Sequence, residues 1–104
     1  MSPSDISEAI AHEIDGDWPR PNPHGVDLRR CLVTPQRARF VDASDETRSL
    51  DLWLVLEEKP GDHSGYKIVF DEARGEYGLA VTDQHGHDVF IGYYGSFLET
   101  LDGM

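Results

Sequence analysis

Cysteine is nearly absent from this chain: Cys31 stands alone among 104 residues, so no intrachain disulfide framework can hold the fold together. Positive charge is scarce as well, with nine Lys and Arg against twenty Asp and Glu and a formal net charge of −11 at neutral pH. Long hydrophobic runs are missing. The longest, Leu52 to Leu56, has five residues, far below the ~20 that a membrane-spanning helix needs. The opening Met1-Ser2-Pro3-Ser4-Asp5 carries neither a basic leader nor an apolar export segment, and a cytoplasmic protein is the expectation. A phosphate-cradling glycine loop before a helix and a dinucleotide fingerprint are also lacking. The length suits one domain, residues 1–104, with a core large enough to fold unaided.

The charge is unevenly placed. Residues 1–18 hold five acids and no Lys or Arg, residues 19–48 hold six Arg against four acids, and residues 49–104 hold eleven acids against three bases. Such a field repels phosphate backbones, which argues against a nucleic-acid ligand, and raises encounter rates with a cationic surface. Acidity alone also serves solubility. The cluster Arg29, Arg30, Arg37 and Arg39 is read as an internal counterpart to the acidic half.

What the sequence has is period-two alternation. Four apolar runs, Leu50 to Leu56, Tyr66 to Phe70, Tyr77 to Val81 and Val89 to Tyr94, are separated by turn-rich segments and predict strands. Leu28 to Thr34 and Arg37 to Asp42 are two further candidates, divided at Pro35, with residues 43–48 as a polar loop. The expected fold is α+β: an antiparallel meander of about four to six strands with an N-terminal helix and a short C-terminal helix. Strict alternation would place Leu50, Leu52, Leu54 and Leu56 on a core face with Tyr66, Ile68, Phe70, Tyr77, Leu79, Val81, Val89, Ile91 and Tyr93. The other face would carry Trp53, Val55, Val69, Ala80, Phe90 and Tyr94. Ser2 and Pro3 suit the start of a helix whose apolar stripe is Ile6, Ala9, Ile10 and Ile14, with Gly16 as its stop. Ser96 and Glu99 have the spacing of a capping box opening the terminal helix. The alternating prolines of residues 19–27 read as an extended linker inside the domain.

In a meander, successive hairpin loops lie at alternating ends, so loops 57–65 and 82–88 should share an edge. That edge collects Glu57, Glu58, Asp62, Asp83 and Asp88 together with His63, His85 and His87. Two readings follow. The five acids suit contacts to a basic macromolecular partner, and the three histidines, with His85-Gly86-His87 in one turn, suit a divalent metal such as zinc. A third reading is a small-ligand groove framed by Trp53, Phe90 and Tyr94, with Gly78 and Gly92 leaving room.

Catalytic signatures are weak. Ser96 lacks the second glycine of a nucleophile elbow, and Cys31, in an apolar stretch, reads as a small buried hydrophobe. Asp15-Gly16-Asp17 resembles part of a calcium loop, but the closing position holds Val26 where a glutamate is needed. The leading expectation is a non-enzymatic acidic protein of inhibitor, immunity or adaptor type that binds a basic partner without a cofactor; the metal site and the ligand sensor are the alternatives.

Overall fold

A computed structural model describes residues 1–62 and 64–104. The elements run α1 (Pro3–Ile14), α2 (Leu28–Cys31), β1 (Leu32–Asp42), β2 (Asp45–Glu57), β3 (Tyr66–Asp71), β4 (Glu76–Thr82), β5 (Asp88–Gly95) and α3 (Phe97–Asp102). Both expected helices are present, and four of the five strands cover the four alternating runs. No helix among the described residues is long and apolar enough to cross a membrane.

The sheet departs from the expected open meander. Neighbouring strands pair antiparallel in sequence order, but β1 also pairs parallel with β5, through Val41 opposite Val89 and Asp42 opposite Phe90, and the sheet closes into a barrel. Alternation specifies a strand's faces and says nothing of its second edge partner, so closure leaves no trace in the hydrophobic pattern. The two N-terminal strand candidates are one. Val33, Thr34 and Pro35 fall in a register shift between the pairs Leu32–Leu56 and Gln36–Leu54, where a proline forfeits no ladder hydrogen bond. Residues 28–31 form a helical turn instead of strand, because the Asp27 side chain accepts from the Arg29 amide at 3.1 Å. The expected loop 43–48 shrinks to a tight turn, since β2 already begins at Asp45.

The core also divides differently. Phe40, Leu52, Leu54, Val69, Ala80 and Phe90, drawn from all five strands, fill the barrel interior. Trp53, Val55, Leu56, Ile68, Phe70, Tyr77 and Leu79 pack on the outside against Ile6, Ile10 and Ile14 of α1, Leu28 and Cys31 of α2, and Phe97 and Leu101 of α3. The expected single face mixed these two sets. The β2–β3 register sets Leu54 opposite Val69 and Trp53 opposite Phe70, and a bulge before Leu56 switches that leucine to the helix-covered side. Two further irregularities, in the β4–β5 ladder, skip Ile91 and Tyr94. Both are exposed, at 45% and 41%, so Ile91 is not the core residue that strict alternation implied.

The helices are fixed by reciprocal caps. Ser2 accepts from the Asp5 amide while Asp5 accepts from the Ser2 amide, and Ser96 and Glu99 do the same for α3. Glu13 adds a tertiary cap: its carboxylate accepts from the Phe97 amide at 3.3 Å and the Leu98 amide at 2.8 Å, so α1 closes the N-terminus of α3. The Glu13→Ala variant should lose about 1 kcal/mol of unfolding free energy, read as a lower urea midpoint at constant m-value. Glu8→Ala, an exposed acid of the same helix, should stay within about 0.5 kcal/mol of the parent.

Candidate functional site

The structure splits the expected shared edge in two. At the strand ends the loops are indeed neighbours: Glu57 lies opposite Lys67, and the Lys67 ammonium donates to Thr82 Oγ1 at 2.6 Å, which donates to Asp88 Oδ1 at 3.0 Å. Glu57 and Lys67 are both buried. Beyond those ends the two loops border separate clefts.

The first cleft, about 500 Å³, lies where loop 57–62 meets the proline-rich segment and α2, and is lined by His24, Arg30, Cys31, Glu58, Lys59 and Asp62 among others. Glu58 anchors it. One carboxylate oxygen takes the Tyr66 amide at 3.0 Å, the other lies 2.7 Å from His24 Nδ1, and the His24 ring sits edge-on to Tyr66. Burial opposes ionisation of Glu58, yet the amide and the imidazole outweigh it and hold the carboxyl below its ordinary value. The cleft therefore gathers a thiol, an imidazole and a carboxylate, the residue types of a nucleophilic triad. The thiol is a poor nucleophile in this setting. Burial pushes its pKa up, and Cys31 Sγ is directed to the Glu58 carbonyl at 3.6 Å, whereas a reactive cysteine needs stabilisation of the thiolate. Asp62 is exposed and accepts from Ser64 Oγ at 2.9 Å. The segment that the prolines marked as a linker is thus clipped down by His24, a contact for which spacing gives no signal.

The second cleft, about 430 Å³, opens between the β1–β2 and β4–β5 turns and is lined by Val41, Asp42, Ala43, Glu46, Asp83, His85, His87 and Val89. Asp83 organises its turn. One oxygen accepts from the His85 and His87 amides at 2.8 and 2.9 Å, and the other lies 3.5 Å from His87 Nδ1. The His87 amide leads in holding the Asp83 carboxyl below its ordinary value. Gly86, with φ at +81°, supplies the left-handed residue that the turn requires. Across the cleft, Asp42 accepts from the amide and hydroxyl of Ser44, at 2.9 and 2.7 Å, and Glu46 is exposed. Asp42 and Glu46 escaped the sequence reading because only the parallel closure carries their turn to Asp83.

Of the expected metal ligands, His85 and His87 share this cleft with ring centroids 6.2 Å apart, and His63 lies outside the described residues. Among the described residues no three His, Cys, Asp or Glu side chains group in a way that could hold a metal ion. The expected aromatic groove is dispersed: Trp53 joins the helix-covered cluster, Phe90 the barrel interior and Tyr94 the exposed side of β5 beside Gly103. A Cβ on Gly78 would run into the Phe90 ring and the Gly92 carbonyl, so the missing side chain is the space that Phe90 occupies. Arg37 pairs with Asp51 at 3.1 Å and lies over Trp53, while Arg29 lies over Trp18. Comparison with family models, with curated proteins and with solved structures finds no match to this chain.

The lowered Glu58 pKa fixes the sign of a pH effect. A carboxyl that binds protons less readily when folded contributes stability fully present above its ordinary value of 4.5, and that contribution is lost as pH falls through the lower folded value. In Glu58→Gln this part of the acid slope should vanish. Urea midpoints between about pH 3 and pH 6 should fall less steeply in the variant than in the parent; parallel curves would remove the assignment.

Proposed function

We propose that the protein is a non-enzymatic acidic binding protein that engages a basic macromolecular surface through the cleft between the β1–β2 and β4–β5 turns. The observation that carries this reading is the composition of that cleft. Asp42, Glu46 and Asp83 rim it, and Val41, Ala43 and Val89 supply apolar lining. A lysine or arginine has the matching anatomy, an aliphatic stem for apolar contact and a charged head for the carboxylates. Arg48 offsets part of the negative field near Asp42, but the chain's charge of −11 dominates at long range and would steer a cationic partner.

The reading narrows the acidic contacts expected along the edge. Glu57 is buried, Glu58 and Asp62 line the other cleft, and Asp88 is tied to Thr82 at the strand end, so Asp83 is the one of the five that lines this cleft, and Asp42 and Glu46 join it there.

A pull-down from the native lysate followed by binding kinetics tests the proposal. A basic protein should be recovered whose association rate falls several-fold from low to high salt, and Glu46→Lys, an exposed change, should lower that rate while leaving the fold intact. Recovery only of partners whose association ignores both salt and Glu46→Lys would remove it.

A further inference from the structure

The barrel is closed along only part of β5. β1 runs parallel to β5 and reaches it late, with Val41 opposite Val89, Asp42 opposite Phe90 and the Ala43 amide donating to the Phe90 carbonyl at 2.9 Å. There β1 ends in its turn and the chain leaves as β2. From Ile91 to Gly95, β5 has β4 on one side and, among the described residues, no strand on the other. A strand edge of this kind presents unpaired amides and carbonyls in line.

Natural edges are blunted by charges, prolines, bulges or covering elements. The part of β1 that β5 does not pair follows that rule with Arg37 and Arg39, both exposed, while Pro35 is buried. The stretch Val89-Phe90-Ile91-Gly92-Tyr93-Tyr94-Gly95 carries no charge and no proline, in a chain in which 28% of residues are charged. Its two bulges limit indiscriminate pairing, but they fall at Ile91 and Tyr94, two of the three large hydrophobic side chains exposed among the described residues. Both exposed side chains are on a stretch of β5 that, among the described residues, pairs with a strand on one side only.

Charge decides the occupant. The open edge begins where the acidic cleft ends, because Val89 lines the cleft and Phe90 holds the Ala43 amide. A strand added along Ile91–Gly95 would continue the line of β1 and abut the turn bearing Asp42, Asp45 and Glu46. A second copy of the chain would bring another charge of −11 to that place, which repulsion disfavours; a cationic segment is attracted to it. We infer that the outer edge of β5 from Ile91 to Gly95 accepts an extended segment of a cationic protein as an additional strand, with a lysine or arginine of that segment seated between the β1–β2 and β4–β5 turns. The inference rests on the proposed acidic-cleft reading and adds the mode of binding: main-chain pairing supplies affinity, and the cleft supplies the choice of charge.

The probe is a synthetic peptide of alternating threonine and valine with lysine at both ends, compared with its glutamate-ended counterpart and with a version N-methylated at alternate amides. Amide exchange and NMR shifts of the full chain report the outcome. The lysine peptide should slow exchange at backbone amides within residues 91–95 by about tenfold or more and shift the signals of residues 42–46 and 83–87. The N-methylated peptide and the Ile91→Lys variant should abolish the protection. Saturating lysine peptide without protection at residues 91–95, or equal protection by the N-methylated peptide, would overturn strand addition. Protection that appears with rising protein concentration alone would overturn it in favour of a second copy. If strand addition alone fails, the lysine peptide still shifts the turn signals in a salt-sensitive way; if the acidic-cleft reading fails, the glutamate-ended peptide protects residues 91–95 equally well, and the cationic occupant falls with it.

Discussion

Two parallel residue pairs, Val41 with Val89 and Asp42 with Phe90, decide the form of this protein. Without them β1 to β5 would be a twisted antiparallel sheet with two long edges and an interior layer of Phe40, Leu52, Leu54, Val69, Ala80 and Phe90 open on one side. Closure lets β1 and β5 meet over that layer, and Phe40 and Phe90, at 1% and 3% exposure, are the side chains that profit most directly. Burying the two rings together is worth about 3–6 kcal/mol, against about 0.5–1.5 kcal/mol for each hydrogen bond of the short parallel contact. The closure is thus held by what lies beneath it.

The same contact arranges the surface. Because β1 arrives at β5 with its last residues, its turn lands beside the β4–β5 turn, and acids from distant parts of the sequence, Asp42, Glu46 and Asp83, come to rim one cleft. Because β1 stops there, the remainder of β5 is left, among the described residues, with one neighbouring strand. The acidic cleft and the uncharged edge are two consequences of a single register. The helices pack on outward side chains of β2, β3 and β4, with α1 and α2 also against β1 and α3 also against β5, and Glu13 ties α1 to the start of α3.

Local chemistry was the readable part of the sequence. Ser2 with Pro3 opens α1 and Ser96 with Glu99 caps α3 as their order and spacing imply, since a cap depends on residues within one turn; the return bond that Asp5 accepts from the Ser2 amide was not anticipated. Strands β3, β4 and β5 follow their alternating runs to within a residue. Pairing phase was not readable: whether Leu54 or Trp53 shares a face with Val69 depends on a register set by turns and a bulge, and alternation is equally satisfied either way. The proline-rich segment was equally opaque, because the contact between His24 and Glu58 joins residues that no local pattern relates. The acids of loops 57–65 and 82–88 were found as residues but assigned to one rim; the loops are neighbours at their roots, and tertiary packing separates their tips.

The acidic cleft and the singly paired stretch of β5 both depend on β1 and β5 touching at that one place. NOE spectra of the isotope-labelled chain test this directly. The account predicts inter-strand contacts linking the backbone of Val41–Ala43 with that of Val89–Ile91, together with none from a strand to the outer side of Tyr93. Spectra that lack the first set, or that find the β1–β2 turn remote from Asp83, would contradict it.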